Sequence, residues 1–197
     1  PRRAGERGAL ETGALGSLLP GGRPVADAAA RAEVAELWEV SDLPAGAARD
    51  TAGIIAAAAS GAIGALVVGG VDPADLVGSD VQAALAKAFV VSLEIRESAV
   101  TAQADVVLPV APQAEKAGSY VNWEGRIRSF EAALSSNAMS DHRVLDMLAS
   151  ELGVFLETRT IEQIHGQFEA LGPWTGARPA AGSAAGASAG SAAGASA

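Results

Sequence analysis

Three short apolar runs, Ala65 to Val68, Phe89 to Leu93 and Val106 to Val110, follow one another between Asp50 and Val110, and each is separated from the next by chain of helical composition. The runs are nearly continuous in apolar character, as in strands buried on both faces, and the gaps between them are too long for hairpins. They require crossovers, and so a parallel sheet. The order reads as helix Ala52 to Ala59, strand, turn Gly69-Gly70-Val71-Asp72-Pro73, helix Val81 to Lys87, strand, a short helix near Ser98 to Ala104, and strand. The expected fold class is α/β, a parallel sheet flanked by helices on both faces. Ligands of such sheets sit beyond the carboxyl ends of the strands. The informative loops are therefore Gly70 to Asp75, Glu94 to Ser98 and Pro109 to Gly118.

Composition narrows the chemistry. The 197 residues include no cysteine, which excludes thiolate-held iron–sulfur clusters, cysteine zinc sites and disulfides within this chain. A formal net charge of -9 argues against a general nucleic-acid binder. Hydrophobic residues make up 49% but aromatics only 4%, so the core must rest on Val, Leu, Ile and close Ala and Gly packing. Thr51 to Val71 carries no charge and has the length of a bilayer span. The Ser60-Gly61 break and the β-branched run after it read instead as helix, turn and buried strand, with no direct membrane insertion.

Residues 1–49 read as an irregular glycine-rich lead-in and a short helix within Ala26 to Val40, whose Val34, Leu37 and Trp38 share a face. Residues 50–175 read as the α/β domain. Within it a helix is expected from Asp141 to Leu152, N-capped by Ser140 and striped by Val144, Leu148 and Leu152. Another starts at a Thr160/Gln163 capping box and stops at Gly172-Pro173. Residues 176–197 read as a disordered tail, where the octapeptide Ala181 to Ser188 repeats at Ala189 to Ser196 with only Ala, Gly and Ser. With Pro1 first and Met139 and Met147 the only methionines, the sequence reads as a piece of a longer product.

Most apparent motifs dissolve on inspection. Gly186-Ala187-Ser188-Ala189-Gly190 fits G-x-S-x-G, but it lies in the repeat with no strand before it and no histidine after it. Neither a dinucleotide fingerprint nor a P-loop is present. His142 and His165 have no partner at metal spacing, so no metal site and no catalytic residue is proposed. Glu94, Arg96 and Glu97 read as an ion-paired turn rather than an acid/base set. Asn122, Glu124, Arg126 and Arg128 surround Gly125, which permits a left-handed turn or a close backbone approach. Arg126 could fork onto a carboxylate or phosphate, or close a structural salt bridge.

From Phe89 onward the residues become familiar: Phe89-Val90-Val91-Ser92-Leu93-Glu94-Ile95-Arg96-Glu97-Ser98, Thr101-Ala102, Ala104-Asp105-Val106-Val107-Leu108-Pro109, Glu115-Lys116-Ala117-Gly118 and Asn122-Trp123-Glu124-Gly125-Arg126. This order resembles the molybdopterin oxidoreductase family. Leu18-Leu19-Pro20-Gly21-Gly22-Arg23-Pro24-Val25 and Val67-Val68-Gly69-Gly70-Val71-Asp72-Pro73 look, more narrowly, like the branch that serves in NADH-quinone oxidoreductase, respiratory complex I. The resemblance implies a peripheral subunit on the cytoplasmic side of the cell membrane, contacting other peripheral-arm subunits and no nucleic acid. It implies iron–sulfur clusters in an N-terminal region that this chain lacks, and a scaffold role in which molybdopterin is not expected. The chain would then be a non-catalytic part of an enzyme subunit, from its C-terminal portion, with the cofactor-binding domain that normally follows absent or curtailed. If a pterin is bound, the resemblance makes Asn122, Glu124 and Arg126 its contacts. The rival implied reading is a fragment of a true molybdopterin-dependent oxidoreductase, formate dehydrogenase-like, and a third is an isolated α/β interaction module.

Overall fold

A computed structural model describes residues 5–46, 48–76, 78 and 80–178. They gather into two compact units, one built on Arg49–Ala170 with the chain up to Gly8, the other on Ala9–Ala48 with the chain from Leu171 onward.

The glycine-punctuated start is more ordered than its composition suggests. It carries helix α1 (Glu6–Glu11) and two short strands, β1 (Leu18–Leu19) and β2 (Arg23–Pro24), paired antiparallel across a 3-10 turn. Helix α2 (Ala28–Leu37) follows, started by Asp27, whose carboxylate accepts from the N–H groups of Ala29 and Ala30. Its buried face is Ala30, Val34 and Ala35, while Trp38, at the C-cap, is 45% exposed. The expected Val34–Leu37–Trp38 stripe is thus rotated toward the alanines, because the helix ends at Leu37 and Glu39 already has a positive φ of 52°. At the centre of this unit Arg23 is 1% exposed. Its Nε donates to Glu33 at 2.8 Å, and its terminal nitrogens donate to the carbonyls of Pro20, Leu171 and Gly172 at 3.3, 2.9 and 3.2 Å. The guanidinium also lies 5.5 Å from the Trp174 ring centroid. A fully paired cation stands here where an apolar side chain would sit in an ordinary core.

In the other unit α3 (Thr51–Ser60) starts where Asp50 accepts from the Gly53 N–H and ends at Gly61, held at φ +81°. That left-handed position is open to glycine at little cost. Strand β3 (Ala65–Gly69) comes next, so the uncharged Thr51 to Val71 stretch is helix, turn and strand, as expected. Among the described residues no helix is long and apolar enough to cross a membrane. Helix α4 (Val81–Lys87), capped by Asp80, leads to β4 (Phe89–Glu94), and a 3-10 turn at Thr101–Gln103 leads to β5 (Val106–Pro109). The sheet is parallel with order β3-β4-β5, and β4 is its centre. Its class is the one expected.

Alternation along the strands divides the core. Leu66, Val68 and Val90 meet α3 and α4, in clusters built on Ile55, Ala58, Ala84, Ala88, Leu85 and Val100. Alanine at three of these positions lets the two helices approach closely. On the opposite face Val91, Leu93 and Leu108 pack with Val110, Met139 and Val144. Val144 belongs to α5 (Asp141–Glu151), the helix after a hairpin of β6 (Gly118–Val121) and β7 (Ile127–Phe130). On that second face α5 packs over Val91, Leu93 and Leu108 through Val144. The predicted α5 stripe stops short, since Leu152 is 75% exposed at the C-cap. Helix α6 (Ile161–Leu171) begins at the predicted capping box, with Thr160 N–H to Gln163 Oε1 at 3.0 Å and Gln163 N–H to Thr160 Oγ1 at 3.2 Å. The octapeptide repeat and the G-x-S-x-G match lie outside the described residues.

Candidate functional site

The carboxyl ends of β3, β4 and β5 open into a cleft of about 680 Å³, lined by residues 70–73, 93–99 and 110–113 together with Lys116 and Asp141. These are the three loops singled out from the strand order. The loop after β4 is not held as expected, however. Among the described residues no ion pair joins Glu94, Arg96 or Glu97, and Arg96 and Glu97 are exposed. Ser98 and Thr101 hold the loop instead: Ser98 N–H donates to Thr101 Oγ1 at 2.7 Å, Thr101 N–H to Ser98 Oγ at 3.2 Å, and Thr101 Oγ1 to the Ser98 carbonyl at 3.0 Å. Short hydroxyls close to the chain satisfy the backbone at less entropic cost than three long charged side chains would.

The charge of this cleft decides what it can hold. Among the described residues Asp72, Glu94, Glu97 and Asp141 face only Arg96 and Lys116, and Lys116 is already paired with Asp141. Molybdopterin carries a phosphate, which needs an excess of donors and cations. The side chains present do not fit such a group. Nor do they assemble a nucleophile and base: among the described residues no histidine lines the cleft, and the one serine there, Ser98, is committed to Thr101.

Asn122, Glu124 and Arg126 come together elsewhere, at the tip of the β6–β7 hairpin. Asn122 Oδ1 accepts from the N–H groups of Glu124 and Arg126 at 3.0 and 2.9 Å, and Asn122 Nδ2 reaches Glu124 Oε2 at 3.4 Å. Arg126 Nε lies 3.5 Å from the same carboxylate, and Gly125 takes φ +83° to close the turn. None of the three lines the cleft. Their polar groups turn on one another, and Trp123 between them is 82% exposed. Arg128 lies farther down the hairpin, opposite Tyr120.

The histidines are set into hydrogen bonds with serines: His142 Nε2 is 3.2 Å from Ser140 Oγ, and His165 Nε2 is 2.9 Å from Ser119 Oγ. Ser140 occupies the N-cap position of α5, but its hydroxyl makes no cap bond. Burial lowers the His142 pKa, aided by Arg143 and Lys116, against the Arg159 backbone and Asp141, which raise it. Among the described residues no group of three His, Asp or Glu could hold a metal ion. Two aspartates escape a reading of the sequence alone. Asp105 binds the backbone of β4, and buried Asp146 accepts from the Thr158 N–H at 3.1 Å. An aspartate immediately before a strand is the signal for Asp105; no apolar periodicity marks Asp146, whose neighbours at three and four residues are His142, Arg143, Ala149 and Ser150.

Comparison with known proteins matches residues 5–149 to the molybdopterin oxidoreductase family model. The G subunit of NADH-quinone oxidoreductase from Mycobacterium tuberculosis is 58% identical over 186 residues, covering 91% of this chain and 23% of the relative. The corresponding G subunit of Streptomyces coelicolor is 53% identical, over 90% of this chain and 22% of its own length. A nitrate reductase of Symbiobacterium thermophilum is 33% identical, over 82% of this chain and 23% of the relative. The chain thus spans about a quarter of the length of the relatives it matches. The parallel sheet, its strand-end loops and the A-D-V-V-L-P and N-x-E-G-R segments all fall within the matched residues, and the chain belongs to the molybdopterin oxidoreductase family, in the stretch where that family extends into the G subunit of NADH-quinone oxidoreductase.

Proposed function

We propose that this chain is a scaffold portion of the G subunit of an NADH-quinone oxidoreductase, supporting electron transfer from NADH to quinone without supplying redox ligands. The reading rests on one observation above the others. At the strand ends, where an α/β sheet holds its ligands, the cleft is rich in carboxylates and, among the described residues, has no nucleophile–base pair. In this reading iron–sulfur clusters belong to a different region of the subunit, since this chain has no cysteine to bind them. Its partners are other peripheral-arm subunits, and its place is the cytoplasmic side of the cell membrane, as a peripheral component. The Asn122, Glu124 and Arg126 turn serves to present Trp123 to a neighbouring protein surface.

The nitrate reductase resemblance gives a second reading some footing, that of a fragment of a molybdopterin-dependent oxidoreductase. Elemental analysis of the native assembly captured through this chain separates the two. Iron with NADH:quinone activity and no stoichiometric molybdenum supports the scaffold. Stoichiometric molybdenum overturns it and returns Asn122, Glu124 and Arg126 to the position of cofactor contacts.

A further inference from the structure

Away from the strand-end cleft, one pair of side chains stands as a nucleophile stands to its base. Ser119 on β6 and His165 on α6 are 46 residues apart in sequence, and Ser119 Oγ lies 2.9 Å from His165 Nε2. Neither lines the cleft, and both are half-buried. With the ring proton on Nδ1, Nε2 accepts from the hydroxyl, which is the direction a base requires. Ser129 Oγ, 3.3 Å away across the hairpin, is then the donor to Ser119. Glu162 precedes His165 by one turn of α6. Hydrogen bonds from its own backbone N–H and from Thr160 hold its carboxyl below the ordinary value, and the nearby imidazole adds to them. A negative charge is thus kept close to where an imidazolium forms.

The backbone supplies a further part. Asn122 N–H donates to the Arg126 carbonyl, and the pairs of the antiparallel hairpin alternate from there: Tyr120 with Arg128 is hydrogen-bonded, and Ser119 with Ser129 is not. The Ser119 N–H therefore points away from β7. Among the described residues β6 and β7 form this sheet alone, so that N–H serves no ladder. A nucleophile whose own N–H is spare has a donor for the oxyanion that forms on the carbonyl it attacks. Beside the strand lies a pocket of about 290 Å³, bordered by Ser119 with Tyr120, Phe130 and Ile161. Ile161 is one turn from His165 on α6, and Lys116 and Asp141, also at the pocket, are paired with each other. The apolar walls suit a small uncharged acyl group.

We propose that Ser119 is a nucleophile, with His165 as its base, and that it takes acyl groups from activated esters beside β6. The Ser119 oxygen attacks the ester carbonyl carbon as its proton passes to His165 Nε2. The bond from that carbon to the leaving oxygen then breaks, and the leaving oxygen takes the proton. Water, giving its proton to the same nitrogen, attacks the acyl-serine; Ser119 regains its proton and the carboxylic acid departs. No oxidant or reductant enters, so the pair acts in the same way whether or not the chain serves as a scaffold.

The test treats the purified native assembly that carries this sequence with p-nitrophenyl acetate, and separately with a fluorophosphonate, and reads the adducts by mass spectrometry of tryptic peptides. Lys116 and Arg126 bound a peptide in which Ser119 is the one serine, and Ser129, in another peptide, is the internal reference. Ser119 should be modified about 10²-fold faster than Ser129, the size of a positioned base's contribution. His165→Ala should lose that advantage, and free imidazole should restore part of it, which a merely structural histidine does not allow. Ser119→Ala should carry no adduct on this peptide. An adduct on Tyr120 in place of Ser119, equal rates at Ser119 and Ser129, or a His165→Ala variant that reacts like the parent overturns the proposal. If His165→Ala fails to fold, the ratio of Ser119 to Ser129 labelling in the unaltered sequence decides alone. Molybdenum content of the same assembly judges the scaffold reading separately, because acylation of Ser119 does not depend on which metal is present.

Discussion

Asp105 and the backbone of Val90 hold each other through two hydrogen bonds: the Val90 N–H donates to Asp105 Oδ2 at 2.8 Å, and the Asp105 N–H donates to the Val90 carbonyl at 2.9 Å. Val90 is fully buried on the central strand, so its N–H has no water to turn to. The carboxylate fills the place of the ladder partner that β5, starting one residue later, cannot yet provide. Asp105 thereby fixes both the start of β5 and its register on β4. Replacing it by Ala leaves a buried donor unpaired, and should cost about 1–3 kcal/mol in urea unfolding. Asp105→Asn keeps an acceptor oxygen and should lose less. Equal losses for the two variants would remove this role from Asp105.

Ser92 presents the opposite case. It is fully buried two residues along the same strand, and its Oγ has no hydrogen-bond partner. Removing an unsatisfied hydroxyl while keeping the small volume should leave stability unchanged or raise it by about 1 kcal/mol. Thermal or urea midpoints of Ser92→Ala check this, and a marked fall would mean that the hydroxyl has a partner in solution.

Much of this unit is legible in the sequence because its apolar periods are strong. The three strands, the Val81 to Lys87 helix and the Thr160/Gln163 box stand where local pattern and turn chemistry put them. Side-chain partners are less legible. Asn122, Glu124 and Arg126 do associate, but spacing does not distinguish a turn closing on itself from a set open to a ligand. Charge alone suggests a paired Glu94, Arg96 and Glu97, whereas Ser98 and Thr101 hold that loop through backbone geometry that no spacing rule displays. Arg23 stands out in the sequence only within a family resemblance. Its carbonyl partners lie as far as 149 residues away along the chain, beyond any local signal.

Arg23 should therefore be among the most sensitive positions in its unit. Loss of the guanidinium removes four hydrogen bonds and leaves Glu33 and the carbonyls of Leu171 and Gly172 without their donor. Arg23→Ala should cost about 1–3 kcal/mol, chiefly for the half-buried carbonyls left without a donor, because Glu33 is 47% exposed and can turn to water. Arg23→Lys should not restore it, because an ammonium cannot reproduce the planar fork. Hydrogen exchange over residues 18–35 is the direct measurement, and unchanged protection there would refute the prediction.

His142 gives the unit a pH dependence with a definite sign. Its folded-state pKa lies below the ordinary value, first because burial disfavours the charged ring. In the window below about 6.5 the unfolded chain then binds more protons than the folded one at this position. The stabilisation is present above that value and is lost as pH falls toward the folded-state pKa. His142→Gln should flatten this part of the stability profile, read as urea midpoints from about pH 7.5 down to about 5, the range that brackets the ordinary histidine value. A profile that keeps its slope in the variant would place the dependence on other groups.

Trp123 and Asn122 separate presentation of a surface from stability of the chain. Trp123 is 82% exposed, so Trp123→Ala should change the chain's own unfolding free energy by no more than about 0.5 kcal/mol. Asn122→Ala removes the acceptor of two backbone N–H groups in the turn and should cost about 1 kcal/mol. Arg126→Ala breaks only an exposed pair and should cost less than about 1 kcal/mol. If the hairpin tip is a contact to a neighbouring subunit, Trp123→Ala should lower the yield of assembled oxidoreductase despite its normal stability, and Asn122→Ala should do so by loosening the turn that carries the indole. Activity per assembled complex should stay near that of the parent protein in both. A Trp123→Ala complex that assembles in normal yield but has lost NADH:quinone turnover would assign the tip to the chemistry rather than to assembly.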